Sequence, residues 1–170
     1  MEQHVEKILD AKENVLRRAS CVLSSIIRGL DEVDDETKQR IMELCGEACA
    51  REDGDLEIAE KIAKETDDEK EILNRVNEEI SWCGTWIQKG NTIQSTCSAC
   101  GCPLVRNHIV DSSEAFCYCS RGWVNLIFTT ALKRPVSVEL KESIGRGDQV
   151  CTFIVSIGEH NKSIADSAVG

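Results

Sequence analysis

The sequence predicts an α+β fold, with an N-terminal helical segment followed by a small antiparallel sheet packed on helices. Three observations carry that reading. Apolar residues recur at three- and four-residue steps through the first half, with charges on the opposite faces. After Gly90 the charge thins and short β-prone stretches alternate with turn residues. Ten cysteines are spread over the chain, and five of them fall within residues 97–119. At 170 residues and 18.9 kDa the chain has room for one compact domain. Within it, residues 1–90 read as an acidic helical segment, 91–158 as a cysteine-rich α+β unit and 159–170 as a frayed tail.

The elements follow in order. Val5, Ile8, Leu9, Val15, Leu16, Ala19, Val22, Leu23, Ile26, Ile27 and Leu30 predict a long amphipathic helix over 2–30. A second helix starts at an Asp34 or Asp35 N-cap and carries Ile41, Met42, Leu44, Cys45, Ala48 and Cys49. A short third holds Leu56, Ile58, Ala59, Ile62 and Ala63. The fourth is capped at Asp67 or Asp68 and runs through Ile72, Leu73, Val76, Ile80, Cys83 and Ile87. Strands are expected at 93–97 and 104–110, then a helix over 120–132. Strands at 136–142 and 149–157 alternate apolar residues on one face, and Ile144-Gly-Arg-Gly-Asp-Gln149 forms the hairpin turn.

Charge narrows the range of functions. Residues 1–80 hold 23 acidic and 12 basic side chains, residues 81–170 hold 7 and 8, and the net is −10. An acidic body without a basic patch repels phosphate, so nucleic acid is not an expected partner. No apolar run reaches the ~18 residues needed to span a bilayer, and the N-terminus lacks a signal-like core. A cytoplasmic protein is expected, and in that reducing compartment clustered cysteines read as metal ligands or redox groups rather than structural disulfides.

The strongest motif is Cys97-Ser-Ala-Cys100-Gly-Cys102-Pro103, followed by Cys117-Tyr-Cys119. Two thiolate pairs at that interval suit a tetrahedral zinc site. Cys-x-Cys departs from the usual Cys-x-x-Cys, and on a strand such residues lie about 7 Å apart on one face, so the chain must turn there. Ser120-Arg-Gly122 reads as a loop-to-helix junction whose dipole favours thiolate. The candidate ligands are Cys97, Cys100, Cys102, Cys117, Cys119 and Cys151, with Cys45, Cys49 and His108 behind them. The alternative for the same thiols is reduced, half-buried packing without metal.

Cys45 and Cys49 stand at i and i+4, which stacks them on one helical face as ligands, a redox couple or small core residues. Gly46 between them suggests close approach by another segment. Cys21 and Cys83 sit on apolar faces and read as core. Of His4, His108 and His160, His108 alone lies among the cysteines, where it would serve a thiol enzyme as base, bind metal, or be an ordinary strand residue. Trp123, Phe128 and Phe153 are the candidate walls of an apolar ligand site. Gly145-Arg-Gly147 does not precede a helix, which removes a phosphate cradle.

The ending Ser143-Ile-Gly-Arg-Gly147-Asp148-Gln-Val-Cys151-Thr-Phe153, after the upstream Cys117-Tyr-Cys119, resembles the vinyl-four-reductase ligand-binding domain. That family closes with Cys-x-x-x-Gly-Asp-x-x-Cys-x-Phe. Its zinc-bearing aromatic sensors hold the metal with an upstream cysteine, a strand carboxylate and two hairpin cysteines. The resemblance implies Cys117 and Cys151 as the outer thiols, Ser143 as a lost ligand and Glu139 or Glu142 as a displaced carboxylate. The same ending is similar to L-2-amino-thiazoline-4-carboxylate hydrolases. The fuller pattern of CGEAC, CSACGCP, FCYCSRGW and VELKESIGRGDQVC resembles an uncharacterised cysteine-rich prokaryotic family near both.

The expected function is that of a cytoplasmic, non-catalytic, zinc-holding protein that binds a small apolar ligand and can pair as a homodimer through the helix over 2–30. The alternatives are a thiol-dependent hydrolase, a redox protein using Cys45 and Cys49, and an iron-sulfur protein on the same thiolates.

Overall fold

In the computed structural model the chain is described over residues 2–158, with side chains from Lys12 onward. The expected tail 159–170, His4, His160 and the Val5, Ile8 and Leu9 side chains lie outside the described residues. Helices α1 (Glu2–Leu30), α2 (Asp35–Glu52), α3 (Asp55–Glu65) and α4 (Glu69–Glu79) come first. Strands β1 (Ile87–Lys89) and β2 (Thr92–Cys97), short helix α5 (Pro103–Arg106), helix α6 (Glu114–Leu132) and strands β3 (Val136–Glu142) and β4 (Cys151–Ile157) complete the chain. The fold is α+β, with a four-stranded antiparallel sheet in the order β1-β2-β4-β3.

Caps set the helix starts. The Asp34 carboxylate accepts from the Thr37 amide at 2.9 Å, and that of Asp68 accepts from the Glu71 amide at 2.8 Å. Each satisfies an amide that has no partner inside the helix.

Central α6 packs on α2 and α3 on one side and on the sheet on the other. Phe128, Ile127 and Val124 of α6, Phe153 and Val155 of β4, and Ile62, Ile72 and Val76 of α3 and α4 share one core. The sequence segments 1–90 and 91–158 therefore do not carry separate cores. A smaller cluster joins Leu30, Met42, Val110, Phe116 and Tyr118, with Cys102 and Cys119 against it.

Three boundaries differ from expectation. The 104–110 stretch is not a strand: Pro103 at the first turn, with its ring already set for a helix, starts α5. The chain then turns through His108 at φ 55°. Helix α6 begins at Glu114, six residues before the expected start, so Cys117 and Cys119 lie inside it rather than ahead of it. Helix α4 ends at Glu79, where Ile80 turns extended, and Ile87–Lys89 pairs with β2 as a strand the sequence reading did not contain.

Candidate functional site

Helical placement changes what Cys117 and Cys119 can reach. Two residues apart on a helix turn through about 200°, so their sulfurs leave α6 on opposite sides. Cys117 points to the sheet and Cys119 to α2, and each meets a different group of thiols.

On the sheet side, Cys117 and Cys151 are both buried. The Ser143 hydroxyl, wholly buried, donates to Cys117 Sγ at 2.8 Å. The Ile144 amide donates to Cys151 Sγ at 3.4 Å, and Cys117 Sγ lies 3.7 Å from the Ser113 carbonyl. Gly145 passes so near that a Cβ there would stand 2.8 Å from Cys117 Sγ and 2.4 Å from the Ser113 oxygen. Only a residue without a side chain lets the turn close over the sulfur. The Asp148 carboxylate holds the turn by accepting from the Ser143 amide at 2.7 Å.

These donors favour charge on Cys117. The bond from Cys151 is the largest influence, and the Ser143 hydroxyl, the Gly145 amide and the Arg146 guanidinium add to it; against burial, they draw Cys117 down to about 6. Cys151 is pushed up, because its proton is held in the bond to Cys117 and because it is buried. Cys100 is also raised, chiefly by burial, and it feels the charge of Cys102 and Cys117.

The zinc arrangement implied by the vinyl-four-reductase resemblance is not reproduced among these residues. Leu140 occupies the inward strand position. Glu139 is exposed, and Glu142 accepts from Thr152 Oγ1 at 2.6 Å. Beside the Cys117 and Cys151 thiols stand the Ser143 hydroxyl, spent on Cys117, and Cys100, near enough to feel the charge of Cys117.

On the helix side, Cys119 bonds Cys49 of α2. That bond draws Cys49 down to about 7, while Cys119 is pushed up by holding the proton, by burial and by the charges of Cys49, Cys102 and Cys45. Cys45 is raised by burial and then by Cys49. Four thiols from three segments thus lie along the α2–α6 seam, near enough for Cys119 to feel the other three. The seam is unusually tight there: a Cβ at Gly46 would lie 1.9 Å from the Cys119 carbonyl oxygen, and one at Gly122 would lie 2.2 Å from that of Glu43. The expected close approach at Gly46 is the approach of α6. Arg121 fastens the seam, donating to Glu43 at 2.7 Å and to Gln39 at 2.8 Å. As the side chains stand, no three His, Cys, Asp or Glu groups among the described residues cluster tightly enough to hold an ion.

The other candidates fall elsewhere. Cys97 is bonded to Cys83 in a disulfide, so it has no thiolate to give a metal, and Cys83 is not merely core. The sequence signal for this pair was the turn at Gly90-Asn91, which brings the segment before β1 back onto β2. Cys21 is exposed rather than core, and His108 is an exposed turn residue away from any strand. Trp123, Phe128 and Phe153 are buried against other rings. Trp82 stacks on Trp123 at 4.8 Å and meets Phe153 edge-on at 5.4 Å, and Trp86 meets Phe128 at 4.8 Å. Trp123 Nε1 donates to Asp55 at 3.2 Å. The intended walls of a ligand site are thus lined by the protein's own Trp82 and Trp86.

Comparison with known proteins adds a family and a fold. A family model, DUF6144, described as a family of unknown function, matches residues 6–162. No curated protein matches the chain. Among solved structures it is similar to a trafficking protein particle complex subunit 3 from Naegleria fowleri, covalently bound to palmitic acid in its crystal structure. The identity is 11%, the TM-score 0.50, and the match covers 88% of this chain and 98% of that one. At that identity the likeness speaks for the fold alone.

Proposed function

We propose that this chain, which belongs to the family of unknown function DUF6144, is a non-catalytic metal-holding module whose zinc sits on the α2–α6 seam. Cys45, Cys49, Cys102 and Cys119 would be its ligands. The observation that carries the reading is the convergence of the other three thiols on Cys119, with Cys49 already drawn toward thiolate. Four cysteine sulfurs are a common donor set of closed structural zinc sites. Closing the site would take movement of the exposed Cys45 and half-buried Cys102 side chains toward Cys49 and Cys119. Zinc would then replace the thiol protons and bind α2, α6 and the α5 loop together.

Zinc is proposed for this seam, and not for the position the vinyl-four-reductase resemblance implies, because Ser143 replaces one implied cysteine, Glu139 is exposed and Glu142 is taken by Thr152. The apolar-ligand part of the expectation rests on Trp123, Phe128 and Phe153, and the fold neighbour's covalently bound palmitic acid is in keeping with it. In this chain an apolar guest would have to displace Trp82 from Trp123, so the metal is the better supported part.

A second copy is the proposed partner. Val15, Leu16, Val22 and Ile26 of α1 are 52–66% exposed, while Leu23 and Ile27 pack inward. An apolar stripe of this length on water suits pairing of two such helices. No helix among the described residues is long and apolar enough to cross a membrane, and a cytoplasmic location is part of the proposal.

Elemental analysis of anaerobically purified protein tests the reading, supported by cobalt substitution, whose visible spectrum reports thiolate count. One metal per chain, lost in Cys49→Ser or Cys119→Ser and kept in Cys151→Ser, is the expected result. Metal-free protein, or metal lost only with Cys117 or Cys151, would overturn it.

A further inference from the structure

The sheet-side sulfurs have an arrangement that metal binding on the opposite side of α6 does not use. Cys97 of β2 and Cys151 of β4 are direct cross-strand partners, and both are buried on the inner face of the sheet. Residues so paired keep their Cβ atoms about 4.5–5.5 Å apart. Cys97 is already in a disulfide with Cys83, and Cys151 is hydrogen-bonded on its other side to Cys117. Four sulfurs therefore form an unbroken row: Cys83, Cys97, Cys151, Cys117. The row runs from half-buried Cys83, in the loop before β1, to buried Cys117 on α6. All four pack in or against the main core, where water does not compete.

We propose that this row is an internal thiol–disulfide exchange relay, in which Cys151 passes the Cys83–Cys97 disulfide to the Cys117–Cys151 pair. In the first step Cys117 accepts the proton of Cys151 across their hydrogen bond, and the Cys151 sulfur attacks Cys97 Sγ. A Cys97–Cys151 bond forms, the Cys83–Cys97 bond breaks, and Cys83 leaves with the electron pair and takes the proton that Cys117 received. In the second step the Cys117 thiolate attacks Cys151 Sγ. A Cys117–Cys151 bond forms, the Cys97–Cys151 bond breaks, and Cys97 leaves as the thiolate, with the charge that Cys117 brought. One disulfide, one thiol and one thiolate enter, and one disulfide, one thiol and one thiolate leave, so no outside oxidant or reductant is consumed. What changes is the cross-link: before transfer it ties the loop ahead of β1 to β2, and afterwards it ties α6 to β4.

The Ser143 hydroxyl and the Ile144 amide anchor the two receiving sulfurs, since each donates to one of them. Cys100 is outside the row and is not required.

The test starts from full-length wild-type protein carrying one disulfide per chain, held at pH 4 to stop exchange. It is then shifted anaerobically to pH 8 without added thiol, and samples are alkylated over time and mapped by mass spectrometry. The relay predicts two single-disulfide isomers, Cys83–Cys97 and Cys117–Cys151, approaching a fixed ratio at a rate independent of protein concentration. Cys117→Ser should stall the transfer and accumulate Cys97–Cys151 with Cys83 free. A disulfide confined to Cys83–Cys97, with Cys117 and Cys151 fully alkylated at every time, overturns the proposal. So does a wild-type chain that forms no disulfide at all, or a transfer rate that scales with protein concentration. The wild-type measurement decides the matter even where the variant fails to fold.

Discussion

The Ser143 hydroxyl donates to Cys117 Sγ across 2.8 Å, both groups buried, under the turn that the Asp148 carboxylate holds. The hydroxyl proton stabilises charge on the sulfur. In the metal-free, reduced protein, Ser143→Ala removes that donor, and hydrogen bonds to charged groups are worth about 1.5–3 kcal/mol. The midpoint for alkylation of Cys117, about 6 in the native chain, should rise by about one to two pH units. Rates of iodoacetamide labelling between pH 5 and 9, read at Cys117 by mass spectrometry, check it. A midpoint unmoved by the substitution contradicts the role given to Ser143.

The same depressed group links stability to pH. Cys117 ionises near 6 when folded and nearer its ordinary value of 9.0 when unfolded. Between those limits the unfolded chain binds more protons, so stability rises with pH through this window and is lost as pH falls through about 6. Cys151, shifted upward, acts in the opposite sense only above its unfolded value. The reduced protein should therefore melt higher at pH 8 than at pH 6, and Cys117→Ser should remove much of that difference. Calorimetry at the two pH values measures it.

Helix packing gives a paired prediction on two glycines. At Gly46 a methyl group would meet backbone of α6, and backbone cannot swing aside, so Gly46→Ala should cost at least the ~1–3 kcal/mol typical of overpacking. Gly29, inside α1, has nothing within 4 Å of such a methyl. Gly29→Ala should stabilise by about 0.5–1 kcal/mol through helix propensity alone. Urea unfolding of both variants against the parent shows whether the signs differ.

Pairing through α1 makes a prediction on mass. Light scattering at micromolar concentration should return a dimer, and Val22→Glu together with Ile26→Glu should return a monomer with the far-ultraviolet circular dichroism preserved. These side chains are exposed, so charge placed on them disturbs no core contact. A parent protein of monomer mass at high micromolar concentration rules the dimer out.

Much of the helical half was legible because Asp34 and Asp68 signal helix starts and the pairs Ala59–Ile62 and Ile72–Val76 repeat at helical steps. Period-2 alternation likewise located β3 and β4. Legibility ended in the cysteine-rich segment. Val105, Ile109 and Val110 have strand propensity, but Pro103 commits the chain to a helical turn before they can pair. Cys117-Tyr-Cys119 is short enough to fit either period, and the choice decides whether two sulfurs share a face or part company. In a turn ahead of the helix, as expected, the pair could face one metal; inside the helix, the thiols divide into two groups. The Cys83–Cys97 bond follows from the hairpin turn at Gly90-Asn91, a signal hidden when Ile87 is read as the end of a helix rather than the start of β1.

Because α6 is enclosed by the sheet and by α2, it behaves as a common shaft. A few degrees of rotation that brought Cys119 nearer its partners on α2 would swing Cys117 relative to Ser143 and Cys151 at the same moment. The proposed zinc on one flank and the proposed sulfur exchange on the other would then share one helix as their support, and a change at either would reach the other through its backbone.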